Sequence, residues 1–174
     1  MPTNLLRKYP QLLELGHLTE AQRTVSLRGV FDRDITNNPS FKFRYKQIHP
    51  VRGQEPEMDL LFRHLTTCKA TDLDPTAPDG KRVFEMTRSQ RLHWVKHHVD
   101  ESTPDNLFVF SVEERVDGKP KLRTYILDHR ERYVVILEPL RTGTDYYLLT
   151  AYALEPRNFK KMKSKAKRRL KEVL

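Results

Sequence analysis

Four strand-like runs joined by short links constrain the fold of this chain more than any other feature. The runs are "LFVFSVEER", "KLRTYILD", "YVVILEPL" and "DYYLLTAYALE", and the links "VDGKP", "HRER" and "RTGT" are four or five residues long. Parallel neighbours need a crossover of a dozen or more residues, whereas links of this length suit hairpins. The sequence therefore predicts a four-stranded antiparallel meander.

The segments that precede the meander are mainly helical in pattern. "NLLRKYPQLLELG" predicts a short helix that is broken near Pro10 and ends at Gly16, and "TEAQRTVSLRGVFDRDI" predicts a second helix capped by Thr19. "FKFRYKQI" alternates apolar and basic residues as a strand does, and "KATDLDPTAPDGK" has the composition of a surface loop. The expected fold class is α+β, with N-terminal helices packed on one face of the four-stranded antiparallel sheet.

The net charge of +9 is concentrated at one end of the chain. Residues 157–174 hold nine of the 32 Lys and Arg residues but only one of the 23 Asp and Glu residues. This segment is a basic C-terminal tail, which we expect to be helical. Such a tail attracts polyanions such as nucleic acid, although a solvated helix end that aids solubility has the same composition.

The single cysteine, Cys68, rules out a disulfide within the chain and favours a reducing compartment. The start "MPTNLLRKYPQLLELG" lacks the basic and then continuously apolar pattern of a secretory signal, and no run reaches the length that a bilayer requires. We therefore expect a cytoplasmic protein that does not contact a membrane.

The segment "RSQRLHWVKHHVDE" carries three histidines within six residues. Thr87 and Gln90 form a capping-box pattern, which predicts one helix over residues 88–100. The helical period places three apolar residues on the face toward the sheet: Leu92, Val95 and Val99. It places a polar group beside that face: His93, Lys96 and His97. Trp94 and His98 are expected to point elsewhere.

Three interpretations of this polar group remain open. Its side chains are solvated or bonded to loop carbonyls, or they hold zinc, or they perform acid–base chemistry on a phosphate. The zinc hypothesis combines two pairs at helical i, i+4 spacing: His64 with Cys68, and His93 with His97. The phosphate hypothesis rests on the imidazole as a proton carrier near neutral pH, with neighbouring cations stabilising the developing charge.

The last strand offers a partner for such chemistry. Regular alternation places five residues on one face: Tyr146, Leu148, Thr150, Tyr152 and Leu154. The Thr150 hydroxyl can donate to a phosphate, and Tyr152 can stack on a base. On the second strand of the meander, Arg123 and Tyr125 form a similar pair of a cation and an aromatic ring. Thr and Tyr are also ordinary strand residues, so each pattern is weak alone.

The order of "LLFRHLTT", "RSQRLHWVKHHVDE", "YVVILEPL" and "YYLLTAYAL", followed by a basic tail, resembles phage and prophage members of the barnase–EndoU–colicin–RelE nuclease superfamily. The resemblance covers about residues 58–170. It implies N-terminal helices on a four-stranded antiparallel sheet, and a metal-independent ribonuclease that in several members cleaves tRNA. It therefore divides the chain into an extension over residues 1–57, a nuclease core over 58–156 and the basic tail over 157–174.

The resemblance also implies roles for single residues. Related tRNA-cleaving colicins pair a Lys and a His one turn apart on a helix with a hydroxyl-x-aromatic motif on the last strand. His93 and Lys96 match the first feature in reversed order, and Thr150 and Tyr152 match the second. His93 would transfer the proton, while Lys96, Arg88 and Arg91 would stabilise charge and His97 and His64 would be reserve bases. Arg123 and Tyr125 would help to hold the RNA.

The expected function is therefore endoribonuclease activity in which a ribose 2′-hydroxyl attacks the adjacent phosphate and leaves a 2′,3′-cyclic phosphate. No cofactor or metal is expected. The expected partners are RNA, with tRNA as one case, and an immunity or antitoxin protein. The alternative is a nucleic-acid-binding or phage accessory protein that has a nuclease-like fold but no catalytic activity.

Overall fold

The computed structural model describes residues 2–174, which form seven α-helices and eight strands within that range. The helices are α1 (Pro2–Leu6), α2 (Glu20–Phe31), α3 (Glu57–Thr66), α4 (Ala70–Leu73), α5 (Met86–Ser89), α6 (Trp94–Val99) and α7 (Pro156–Ala166). The strands are β1 (Lys42–Phe43), β2 (Lys46–Pro50), β3 (Thr67–Lys69), β4 (Arg82–Phe84), β5 (Leu107–Val116), β6 (Lys119–Asp128), β7 (Tyr133–Pro139) and β8 (Tyr146–Ala153). None of the described helices is long and apolar enough to cross a membrane.

The prediction of a four-stranded antiparallel sheet is wrong, because the main sheet is mixed and has six strands in the order β1-β2-β8-β7-β6-β5. Strands β5 to β8 pair antiparallel in chain order, as their short links require. Strand β2 adds to the edge of β8 in parallel, with Ile48 opposite Tyr146, and β1 pairs antiparallel with β2. The intervening residues 51–145 supply the long connection that a parallel neighbour needs.

The sheet buries side chains on both of its faces. We call the side that carries Ile126, Val135 and Ala151 the first face, and the side that carries Tyr125, Val134 and Tyr152 the second face. The first face packs against helices α2, α3 and α6 in the larger core. The second face packs against α7, whose Met162 and Ala166 are buried. The basic tail is thus helical as far as Ala166, and this helix covers part of the sheet.

A β-bulge in β8 decides which side chains reach the second face. Ile136 pairs with Thr150, but its neighbour Leu137 pairs with Leu148, so Leu149 is an extra residue in β8. Because an extra residue shifts the alternation by one, Thr150 and Tyr152 point to the opposite face from Leu148. The expectation that these side chains share one face is therefore wrong.

The histidine-rich segment forms two short helices, α5 and α6, instead of one long helix. The side chain of Glu85 caps α5 by accepting hydrogen bonds from two backbone amides, so the predicted Thr87 cap is not used. Leu92, Val95 and Val99 are buried as expected. Trp94 and His98 are also buried, because helix α6 contacts both the sheet and the segment that follows α1.

Candidate active site

A cleft opens where the outer edge of β8 loses its neighbour. Strand β2 pairs only with residues 146–148, and beyond them α3 and α5 approach the same edge. The small β3–β4 sheet closes the other side. We call this cavity of about 290 Å³ the β8 cleft. It is lined by His64, Cys68, Lys69, Asp72, Arg82, Arg88, Leu149, Thr150 and Tyr152.

Arg88 joins the two walls of the β8 cleft. Its Nη1 atom donates to the carbonyl oxygens of His64 and Thr67, both at 2.9 Å, and lies 3.4 Å from Thr150 Oγ1. Its guanidinium carbon lies 5.2 Å from the centroid of the Tyr152 ring. Nη2 makes no hydrogen bond to any residue within the described range 2–174. Arg88 is therefore held in place by the bonds of Nη1, and its Nη2 hydrogens remain free to donate to a ligand.

Arg82 is the second fixed cation of the cleft. Its Nε atom donates to Thr67 Oγ1 at 2.8 Å, and its Nη2 atom donates to the Thr67 carbonyl at 2.7 Å. Burial and the nearby charges of Arg88 and Arg63 lower the pKa of Arg82. Lys69 adds a third cation, whereas Asp72 is the one acidic side chain in the lining. Crowded positive charges of this kind favour the binding of an anion.

His64 on α3 is the titratable base of the cleft. Burial lowers the pKa of its imidazole, and the charges of Arg82, Arg63 and Arg88 lower it further. The ring is therefore mostly neutral at pH 7, so it can accept a proton. A bound phosphate would offset the surrounding positive charge and would raise the pKa of this ring again.

Two hydroxyl groups complete the site. The Thr150 hydroxyl lies next to the guanidinium of Arg88, at the bulge that turns it to the second face. Burial raises the pKa of the Tyr152 hydroxyl, so this group keeps its proton at neutral pH and can act as a hydrogen-bond donor. The cleft thus combines a neutral imidazole, fixed cations and hydroxyl donors, which suits chemistry on a phosphate diester.

The structure places Arg123 and Tyr125 on the second face but outside the lining of the β8 cleft. Arg123 forms an ion pair with Glu138 at 2.6 Å. The Tyr125 hydroxyl donates to Glu114 and accepts from Lys165 Nζ at 3.0 Å. Both side chains are engaged within the protein, and Ile136 lies between Tyr125 and Thr150 in the sheet.

His93 and Lys96 are not brought to Thr150. They line a different cavity of about 500 Å³ beside α1, because α6 packs on the first face of the sheet. His93 is 5% exposed, and its Nε2 atom donates to the Gln11 carbonyl at 3.0 Å. Lys96 forms an ion pair with Asp100.

The remaining predicted residues also lie away from the β8 cleft. The His97 ring stacks on Tyr9 with centroids 4.0 Å apart, and burial lowers its pKa to about 4. Arg91 donates to the Thr87 carbonyl and lies over the Trp94 ring. Of the predicted site residues, the structure therefore brings together Arg88, Thr150, Tyr152 and the reserve base His64.

The buried imidazole of His93 predicts a pH-dependent stability. Burial lowers its pKa to about 4, which the hydrogen bond to Gln11 only partly offsets. Below about pH 6.5 the unfolded chain binds a proton at His93 that the folded protein does not, so stability falls as the pH drops from 6.5 towards 4. We expect a loss of about 3 kcal/mol when the ring is fully protonated.

Urea unfolding between pH 7 and pH 4 measures this effect. The His93→Gln variant keeps a donor for the Gln11 carbonyl but has no proton to gain, so about half of the slope should disappear. The remaining part belongs to His97, whose pKa burial also lowers to about 4. An equally steep slope in this variant would assign the effect to other groups.

The zinc hypothesis requires four residues that the structure separates. His64 and Cys68 line the β8 cleft, whereas His93 and His97 line the cavity beside α1. Over residues 2–174, no three or more His, Cys, Asp or Glu side chains are grouped so that they could hold a metal ion. Burial raises the pKa of the Cys68 thiol, which keeps it protonated.

Sequence reasoning missed Lys69 and Arg82. They lie at the two ends of a segment with the composition of a loop. In the structure these ends form β3 and β4, which are three residues long each and pair Lys69 with Arg82. Strands this short have no recognisable period. The only available indication was the basic residue on each side of an acidic, proline-containing turn.

No protein-family model, no curated protein and no solved structure matches this chain. The site is therefore interpreted from its own geometry.

Proposed function

We propose that the protein is a metal-independent endoribonuclease whose active site is the β8 cleft. The observation that carries this proposal is the convergence of His64, Arg82 and Arg88 with the hydroxyls of Thr150 and Tyr152 in one cavity. Cleavage of an RNA phosphate diester is accelerated by a proton acceptor beside the phosphate and by fixed positive charge around it, and this cleft offers both.

In the proposed reaction, neutral His64 takes the proton of a ribose 2′-hydroxyl. The 2′-oxygen then attacks the adjacent phosphorus, and the bond from phosphorus to the 5′-oxygen breaks. Arg88 and Arg82 stabilise the negative charge that builds up on the phosphate oxygens, and Thr150 donates a hydrogen bond to one of them. The proton held by His64 then passes through a water molecule to the departing 5′-oxygen, which leaves as a 5′-hydroxyl and returns the ring to its neutral form.

The outer side of α7 supports RNA as the substrate class. A groove there is lined by Arg157, Lys160, Lys161, Ser164, Lys165 and Arg168, without an acidic side chain. Helix α7 follows β8 directly and packs on the second face, where Thr150 and Tyr152 also lie. An extended polyanion that enters the cleft can therefore continue along this cationic groove.

A charge-removal variant tests the cationic groove. Lys160, Lys161 and Arg168 are exposed, so their joint replacement by Ala should leave the fold intact. We expect weaker RNA binding, and a plot of log affinity against log salt that is less steep by about 2 units. Deletion of residues 157–174 is a poorer test, because it would uncover the apolar second face.

The matched control replaces Lys8, Lys119 and Arg130, which are exposed elsewhere, and removes the same charge. If both triple variants change the salt dependence equally, only net charge matters and the groove has no special role.

The activity itself is tested with total RNA in EDTA, followed by mapping of new RNA ends. New 2′,3′-cyclic phosphate ends paired with 5′-hydroxyl ends would support the proposal. RNA binding without cleavage would favour the alternative of a non-catalytic nucleic-acid-binding or phage accessory protein.

The resemblance to the barnase–EndoU–colicin–RelE superfamily extends the proposal. We infer tRNA as one candidate substrate and an immunity or antitoxin protein as a candidate partner. A reducing cytoplasm is the proposed compartment, since the single Cys68 is a free thiol.

A further inference from the structure

The tip of the β1–β2 hairpin presents an aromatic ring to solvent. Phe43 pairs with Lys46, so Arg44 and Tyr45 form a two-residue turn, which we call the hairpin tip. Tyr45 is 82% exposed, more than any other large hydrophobic side chain in the described range 2–174. An isolated exposed apolar residue is ordinary, so the surroundings of the ring decide whether it has a role.

The hairpin tip is held in place by the two residues that precede Tyr45. Phe43 is fully buried, and its ring packs on Tyr146 with centroids 5.7 Å apart. Arg44 adopts a left-handed conformation with φ of 56°, and its guanidinium forms an ion pair with Glu101 at 3.2 Å. Arg44 has a Cβ atom that opposes this conformation, and such strain persists only where neighbouring contacts enforce it. The side chain of Tyr45 therefore projects into solvent from a turn whose backbone is held in one conformation.

The surroundings of the ring are cationic. Lys46 Nζ lies 5.7 Å from the centroid of the Tyr45 ring. The carboxylate of Glu101 is already paired with Arg44. An exposed aromatic ring beside a free cation is a combination with which proteins bind single-stranded nucleic acid independently of its sequence.

We propose that the hairpin tip is a second RNA contact, at which Tyr45 stacks on an unpaired base while Lys46 faces the adjacent phosphate. This inference rests on RNA being the substrate of the β8 cleft. Strand β2 lies parallel to β8, so Tyr45 lies roughly 20 Å from Thr150 along the strand direction. A dinucleotide in the cleft cannot reach the hairpin tip, whereas a longer single strand can.

The test compares the unaltered protein with Tyr45→Ala in binding to a single-stranded RNA of about 12 nucleotides, a length within the range of known single-strand sites. Full 2′-O-methylation prevents cleavage, so affinity is measured separately from activity. We expect Tyr45→Ala to bind this RNA roughly 5- to 100-fold more weakly, as loss of one base–aromatic stack does. Tyr45→Phe keeps the stacking surface and should bind like the unaltered protein.

Cleavage of an unmodified dinucleotide should be the same in Tyr45→Ala and the unaltered protein, because this substrate occupies the cleft alone. Equal affinity of both proteins for the longer RNA would overturn the inference, and so would an absence of measurable RNA binding. Concentration-dependent self-association that Tyr45→Ala abolishes would instead assign the tip to contacts between copies of the chain. A protein that cleaves no RNA, yet loses affinity through Tyr45→Ala, would refute the proposed nuclease and keep the second contact.

Discussion

We expect Asp128→Ala to lower the free energy of unfolding by about 3–5 kcal/mol, the cost of removing one partner from a buried ion pair. Asp128 and His98 are both fully buried, and His98 Nε2 lies 2.9 Å from Asp128 Oδ2. The Tyr9 hydroxyl donates to the same carboxylate oxygen at 2.7 Å. Truncation would therefore leave the buried ring of His98 and the partly buried hydroxyl of Tyr9 without this partner, at the junction of α6, β6 and the segment after α1.

The charge of Asp128 also contributes to acid stability. Burial alone would raise the pKa of its carboxyl, but hydrogen bonds from His98, a backbone amide and Tyr9 outweigh burial and hold the pKa at about 2. A depressed pKa stabilises the folded protein above about pH 4, and this contribution is lost as the pH falls towards 2. The Asp128→Ala variant should lack this part of the acid dependence.

Urea unfolding at pH 7 measures the size of the loss. Asp145→Ala is the matched control, because Asp145 Oδ2 makes the same kind of contact with His49 Nε2 at 2.9 Å, with both side chains about one third or more exposed. We expect this control to cost about 1 kcal/mol or less. Similar losses in the two variants would contradict the structural role assigned to the buried pair.

We expect His64→Ala to lower RNA cleavage by about two to four orders of magnitude, the contribution of a positioned proton acceptor. Stability should change little, since Arg88 is bonded to the backbone carbonyl of His64, which the substitution keeps. The rate in the unaltered protein should fall as the pH drops below the lowered pKa of His64, because a protonated ring accepts no proton.

His129→Ala is the control, because it removes an exposed histidine outside the β8 cleft. Initial rates are compared per folded molecule. If His64→Ala cleaves RNA as fast as this control, His64 is not the base.

The parts of the fold that are set by residues close together in the sequence can be predicted from the sequence alone. The four strands β5 to β8 have long runs and short links, so their order and antiparallel pairing follow from local sequence. The apolar face of α6, with Leu92, Val95 and Val99, followed from the helical period. The attachment of β2 to β8 could not be predicted in this way, because it joins segments about 100 residues apart by only three pairs of residues.

The candidate site is formed to a larger extent by residues that lie far apart in the sequence, so less of it can be predicted. The sequence alone places Arg88, Thr150 and Tyr152 at the site, but it favours His93 over His64, because His93 lies in the conspicuous histidine-rich segment. The break between α5 and α6 sends Arg88 to the edge of β8 and leaves His93 on the first face. One inserted residue, Leu149, turns Thr150 to the second face, and a strict period of two cannot show an insertion.

The most direct test of the site is to follow the histidine ring signals by NMR during titration with a 2′-deoxy dinucleotide, which binds but lacks the attacking hydroxyl. We expect the His64 signals to shift and its pKa to rise as the phosphate enters among Arg82 and Arg88, while the His93 and His97 signals stay in place. Shifts confined to His93 and His97, with His64 unmoved, would contradict the assignment of the β8 cleft as the active site.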